Sequence, residues 1–333
     1  MNHISRYYSV FWFAIVLTSC YVFNLHLSQS QEEFRMMKYQ AKLGQRINAT
    51  TTNTYNQIPP VLERKEESPV VYTFFDDLYN VYHHRESGKG TNAEDHEILD
   101  AWKYAWEFMG YTPKVLTLED AKRHPDYERF STLLDEKVPL GSNQAYDKIC
   151  YLRWLAVAAS GGGIMTDFDT IPLRKPQAED FELPNKFTFN QAYVPSFVHG
   201  SAGHWTMMAN AILEEATKPQ RQDLFVYSDM LALSEVLVNP QYKEHIYVHM
   251  PHRSNDATDF LDPIDSQYPI RKCHQLAKLR VMHFQHKSGS IKNTFVDKLL
   301  ENPKYKSQRA ALMVKWLTYW PTFFKEHCRG LDF

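Results

Sequence analysis

Three consecutive glycines, Gly161-Gly162-Gly163, constrain this chain more than any other stretch, because they stand between a helix-forming segment and a short apolar run. Ile149, Leu152, Leu155, Ala156 and Ala159 give the preceding segment one apolar helical face. Ser160 and the glycines end that helix, since glycine adopts backbone angles closed to other residues. Ile164-Met165-Thr166 then reads as a brief strand running into Asp167-Phe168-Asp169-Thr170-Ile171-Pro172. A helix returned into a strand through a glycine break is the signature of an α/β chain.

A second such unit lies upstream. Val70 to Phe75 is apolar, β-branched or aromatic, as expected of a buried strand, and Asp76-Asp77 ends it. Glu94 to Met109 sets Ile98, Ala101, Trp102, Ala105, Trp106 and Met109 on one helical stripe with Gly110 as C-cap, and Val115 to Leu118 returns as a strand. Trp102 and Trp106 read as core. With 333 residues, 44% of them hydrophobic, one large domain beginning near Pro69 and running to 333 is the economical organisation.

The N-terminus reads as a membrane anchor. Residues 1–6 form a short cytosolic tail, and Tyr7 to Leu27 is an almost uncharged apolar run. A helix of about 20 residues crosses a hydrocarbon core of roughly 30 Å. A cleaved signal peptide is the rival, although the run is long and the small-residue cleavage pattern poor. Leu17-Thr18-Ser19-Cys20 resembles a lipoprotein box, but Tyr21-Val22-Phe23 continue the apolar run past the cysteine. Residues 28–68 are polar, with Pro59-Pro60 and a charged stretch, and read as a stem carrying an acceptor triplet for glycosylation at Asn48.

The formal net charge is -2, and Lys and Arg are spread without a basic stripe, so no nucleic-acid partner is expected. Cys150, Cys273 and Cys328 follow Cys20, far apart and without metal-site spacing. With Cys20 in the apolar run, three remain, leaving room for one disulfide, for which Cys273 and Cys328 are the candidates.

Alternation along an extended segment places Asp167 and Asp169 on one side with Phe168 opposite. Two converging carboxylates repel, and hard oxygen ligands suit Mn²⁺ or Mg²⁺. Relief of that repulsion makes Asp169→Asn neutral or stabilising in the metal-free protein. An Asp-x-Asp alone is also common on solvated surfaces, so the surrounding pattern matters.

Tyr151-Leu152-Arg153-Trp154-Leu155-Ala156, then Gly161-Gly162-Gly163, then Asp167-Phe168-Asp169 and Pro172, resembles the sugar-binding region of glycosyltransferases with the nucleotide-diphospho-sugar transferase (GT-A) fold, a Rossmann-like mixed sheet flanked by helices. The group includes fungal initiating mannosyltransferases, α-1,4-galactosyl- and N-acetylglucosaminyltransferases and the glucosylating toxins. The strong likeness covers about 25 residues. It implies that Asp169 ligates the metal, that Asp167 contacts the ribose or metal, and that Arg153 touches the donor sugar or diphosphate. A UDP- or GDP-sugar is the implied donor, and a glycan, glycoprotein or glycolipid the acceptor. It further implies retention of configuration, hence an α-linked product, and a Golgi or other secretory-pathway membrane with the catalytic domain lumenal. Where the family often has an Asp three residues before the Arg, this chain has Cys150; Asp147 is the candidate substitute. There is also an extra glycine before the strand.

In related transferases a C-terminal His followed by an apolar residue completes the metal's coordination, which points to His283, followed by Phe284, with His286 in competition. Lys287 is placed to neutralise a phosphate. On the acceptor side Asp229 is the candidate catalytic residue, although Ser228 or Asp229 reads equally as a helix cap. Two other readings stand beside transfer: an inactive glycan- or nucleotide-sugar-binding protein of the same fold, and a metal-dependent phosphodiesterase, which needs a two-metal cluster.

Overall fold

Val70–Phe74 (β1), Thr112–Leu116 (β2) and Gly162–Thr166 (β3) form the parallel half of a six-stranded sheet, in which β1 lies between β2 and β3. Phe197–Ser201 (β6) runs antiparallel to β3, and Phe187–Phe189 (β5) and Ile246–Val248 (β7) complete the order β2-β1-β3-β6-β5-β7. A separate two-stranded sheet pairs Thr170–Pro172 (β4) with Val281–His283 (β8). The protein is therefore mixed α/β, its sheet flanked by helices. This architecture is seen in a computed structural model that describes residues 68–77, 92–191, 194–249, 255–261 and 270–328. The chain divides into two units, residues 1–58 and 59–333, and every described residue belongs to the second. The expected anchor at 7–27, the stem and Asn48 lie outside the described residues. Among those described, no helix is long and apolar enough to cross a membrane.

Strand alternation sorts the core into two layers. Val71, Ile164 and Phe197 face one side of the sheet, while their neighbours Tyr72, Met165 and Val198 face the other. The first layer packs on Asn92–Phe108 (α1) and on Gln308–His327 (α10) at the end of the chain. The second packs on Leu118–Lys122 (α2), Tyr127–Lys137 (α3), Gln144–Ala159 (α4), Ala202–Ala216 (α5) and Asp229–Val238 (α6). α4 is buried on nearly every face, Tyr151, Trp154 and Val157 included, which is why its sequence is apolar beyond a single stripe. Ala257–Leu261 (α7), Ile270–Leu276 (α8) and Thr294–Leu299 (α9) lead into α10. A disulfide joins Cys273 on α8 to Cys328 at the end of α10, as proposed, and Cys150 is free. In the chain-entropy account, closing a loop with a sequence separation of 55 contributes about 4 kcal/mol.

Two strand boundaries differ from those expected, each for a local reason. β2 ends at Leu116 because Thr117 and Asp120 form a capping box that starts α2. α5 begins at Ala202, where the Ser201 hydroxyl caps it by accepting from His204 N at 3.2 Å. β3 starts at Gly162, not Ile164: Gly162, with φ 79°, already pairs with Ser201 of β6.

His199, 8% exposed on β6, couples this core to pH. Burial pushes its imidazole down from 6.5 to about 4, with Asp180 pulling up and Arg280 pushing further down. The unfolded chain binds the extra proton, so stability is complete above the ordinary value of 6.5 and is lost as pH falls towards about 4. The loss amounts to about 3 kcal/mol. His199→Gln should flatten the acid limb of the melting temperature between pH 4 and 7; an unaltered limb would clear His199 as its cause.

Candidate metal centre

The β1–β3 neighbourhood is where the strand order reverses, since the chain passes from β1 to β2 on one side and then to β3 on the other. Crevices outside the carboxyl ends of strands at such points are where open α/β sheets bind ligands. Asp76 and Asp77 follow β1, and Asp167 and Asp169 follow β3. Asp76 is engaged by Leu118 N at 3.0 Å and Asp77 by His96 at 2.8 Å.

Asp167 and Asp169 do not lie on an extended segment. Thr170 N donates to Asp167 O at 3.0 Å, so Asp167 to Thr170 form a turn between β3 and β4. The turn is held from several directions. Trp102 Nε1 donates to Thr166 Oγ1 at 2.8 Å on one flank, and Trp106 Nε1 donates to Thr170 O at 2.9 Å on the other. The two tryptophans are thus core residues, as expected, whose indole N–H groups brace the acidic turn. Phe168 packs edge-on against Phe75 at 5.2 Å, and Phe284 N donates to Asp169 O at 2.8 Å.

β8 delivers the histidine. Its register opposes His283 to Thr170, the residue after Asp169. One ligand atom each from Asp167, Asp169 and His283 lie within 4.8 Å of one another. Their side chains are 21%, 12% and 17% exposed, reachable yet largely desolvated. His283 Nε2 stands 3.0 Å from Asp169 Oδ1, within ion-pair range but not aligned for a hydrogen bond, so Oδ1 is a buried oxygen without an aligned donor. Burial alone would lower His283, but Asp169 beside it lifts it to about 9. Burial likewise opposes ionisation of Asp169, and His283, Arg309 and His286 outweigh it and hold the carboxyl down to about 2. Asp167 is raised by burial, against the pull of Arg153 and His283.

Arg153 links this cluster to α6. Its Nη1 donates to Asp167 Oδ1 at 2.8 Å and its Nη2 to Asp229 Oδ2 at 2.6 Å. Although burial works against its charge, Asp229 and Asp167 raise its pKa. Arg153 Nε is buried without a hydrogen bond among the described residues. Asp229 is not the helix cap: Ser228 is, accepting from Leu231 N. Asp229 is 2% exposed and also accepts from Trp154 Nε1 at 3.1 Å, so its carboxylate faces Arg153 within the protein. Asp147 turns to Gly141 N at 2.8 Å and makes no hydrogen bond to Arg153, while burial raises its carboxyl. Lys287 is exposed within the 3-10 helix His286–Ser290 and has no hydrogen bond or ion pair among the described residues. His286 sits 3.3 Å from Arg309 Nη1.

Arg309 escaped the sequence reading. It projects from the first turn of α10 and is 4% exposed, with Nη2 2.5 Å from Asp169 Oδ2. No motif marks it; a lone arginine opening a C-terminal apolar helix reads as surface.

A family model described as a domain of unknown function (DUF8765) matches residues 48–186, less than half of the chain. That span holds Arg153, Asp167 and Asp169 but neither Asp229 nor His283. No curated protein matches this chain.

Proposed function

We propose that this chain is a metal-dependent glycosyltransferase of the GT-A type, moving a sugar from a UDP- or GDP-sugar to a glycan, glycoprotein or glycolipid with retention of configuration. The observation that carries the reading is the convergence of Asp167, Asp169 and His283 within 4.8 Å. Two carboxylates and an imidazole suit Mn²⁺ or Mg²⁺, and the unaligned, buried Oδ1 of Asp169 is a ligand atom lacking an aligned donor. When bound, the dication neutralises the diphosphate leaving group. The protein's own part is to place Arg153. Asp167 and Asp229 fix two of its nitrogens and so set the plane of the guanidinium beside the acidic pair. Asp229 then acts by orienting Arg153. Anchorage in a Golgi or other secretory-pathway membrane through residues 7–27 completes the proposal.

One observation favours a second reading, a non-catalytic nucleotide-sugar binder. Each carboxylate of the pair already has a cation, Asp167 from Arg153 and Asp169 from Arg309. Incubating the full-length chain with a panel of UDP- and GDP-sugars, with Mn²⁺ and with chelator, separates the readings. Dication-dependent hydrolysis or transfer supports the transferase, and saturable donor binding without turnover supports the binder. Absence of both Mn²⁺ and donor binding would remove the two together.

A further inference from the structure

Arg309 reaches the site across 140 residues of sequence and makes three contacts there. Nη2 meets Asp169 Oδ2 at 2.5 Å, Nε donates to Phe284 O at 3.0 Å, and Nη1 lies 3.3 Å from His286 Nδ1. Phe284 N in turn donates to Asp169 O, so the guanidinium closes a ring that ties the Asp169 side chain to its own backbone through Phe284. The guanidinium is planar, so its contacts set both the distance and the plane of the carboxylate. Gly289 leaves room for it: a Cβ there would stand 3.0 Å from Arg309 Cγ. The Ser307 hydroxyl caps α10 beside it, accepting from Ala310 N.

As a charge, Arg309 opposes a dication at Asp169. Whatever it adds to a metal site must come from geometry. We propose that Arg309 is a positioning residue for the metal site: by occupying Asp169 Oδ2 it holds the carboxylate so that Oδ1 is the oxygen presented beside Asp167 and His283. This rests on the metal reading above. A buried arginine holding the far oxygen of a ligand carboxylate does for that ligand what outer hydrogen bonds do for metal-bound histidines.

Arg309→Lys separates geometry from charge, since lysine keeps the charge and loses the fork. The probe is Mn²⁺ alone, titrated into the full-length chain and read by calorimetry and by the resonance signal of free Mn²⁺. Arg309→Lys should bind Mn²⁺ about tenfold to a hundredfold more weakly than the parent while melting cooperatively. Parental affinity in Arg309→Lys would overturn the proposal, because the guanidinium's planar fork would then add nothing to the site. Should that variant fail to fold, Gly289→Ala carries the test: its Cβ presses on Arg309 Cγ and Cδ, shifts the fork by a few tenths of an ångström without touching its charge, and should also weaken Mn²⁺ binding. Parental affinity in Gly289→Ala would then overturn it. A parent chain that binds no Mn²⁺ overturns the metal reading itself, a result distinct from binding that is indifferent to Arg309.

Discussion

Asp169→Asn should lower dication-dependent sugar transfer by roughly a hundredfold or more. A hard cation held mainly by carboxylates loses affinity when one becomes a neutral amide, and each tenfold fall in rate is about 1.4 kcal/mol. Arg309 sharpens the effect. It needs an acceptor at 2.5 Å, so the amide oxygen of the asparagine stays with Arg309 and the NH2 group turns towards the position now held by Oδ1. The substitution therefore replaces a ligand oxygen with a donor, not merely with a weaker acceptor. Steady-state rates across a Mn²⁺ titration check this; wild-type transfer with an unchanged Mn²⁺ requirement would take the acidic pair out of the metal site.

The same substitution should also cost stability, contrary to the expectation drawn from repulsion within the pair. Asp169 meets Arg309 and His283 more closely than that expectation allowed, and its carboxyl is held down to about 2 from 3.8. A depressed carboxyl stabilises the fold above its ordinary value and loses that contribution as pH falls through about 2. Neutralising Asp169 at pH 7 thus removes about 2 kcal/mol and leaves the buried Arg309 short of its counter-charge. The deficit should shrink on approaching pH 2.

How much of this was legible follows from how local each signal is. The helix, glycine break, strand and acidic pair lie within one stretch, and each announces itself through period, glycine or charge, so their order was readable. The switch from extended segment to turn at Asp167–Thr170 was not, because it depends on Trp106 and Phe284 binding the backbone from distant elements. His283 was suggested by family likeness, but its approach to Asp169 is a matter of register between β4 and β8, which no local pattern encodes. Asp229 and Ser228 were indistinguishable as caps in sequence; burial against Arg153 decides between them. Arg309 was invisible because its partners lie 140 and 25 residues away.

Gly162→Ala should destabilise the folded domain severely, while Gly161→Ala should weaken it only modestly, although both glycines have positive φ, 79° and 96°. The two differ in surroundings. A Cβ on Gly161 meets nothing within 4 Å, so its cost is backbone strain alone, about 1–2 kcal/mol. A Cβ on Gly162 would lie 2.4 Å from Ala202 N, 2.5 Å from Ser201 C and 2.7 Å from Gly200 O. These are backbone atoms of β6 and of the first turn of α5, and they cannot swing aside as a side-chain tip can. Relieving the clash means parting β3 from β6 at the first pair of their ladder, Gly162 with Ser201, and moving the residue whose hydroxyl caps α5. Strain and a lost strand junction together exceed about 4 kcal/mol, a large share of the 5–15 kcal/mol that holds a domain together. Chemical denaturation of both variants beside the parent reads the difference: near-equal midpoints for the two substitutions would show that β6 does not press on Gly162, and the close β3–β6 approach on which the acidic turn is built would be wrong.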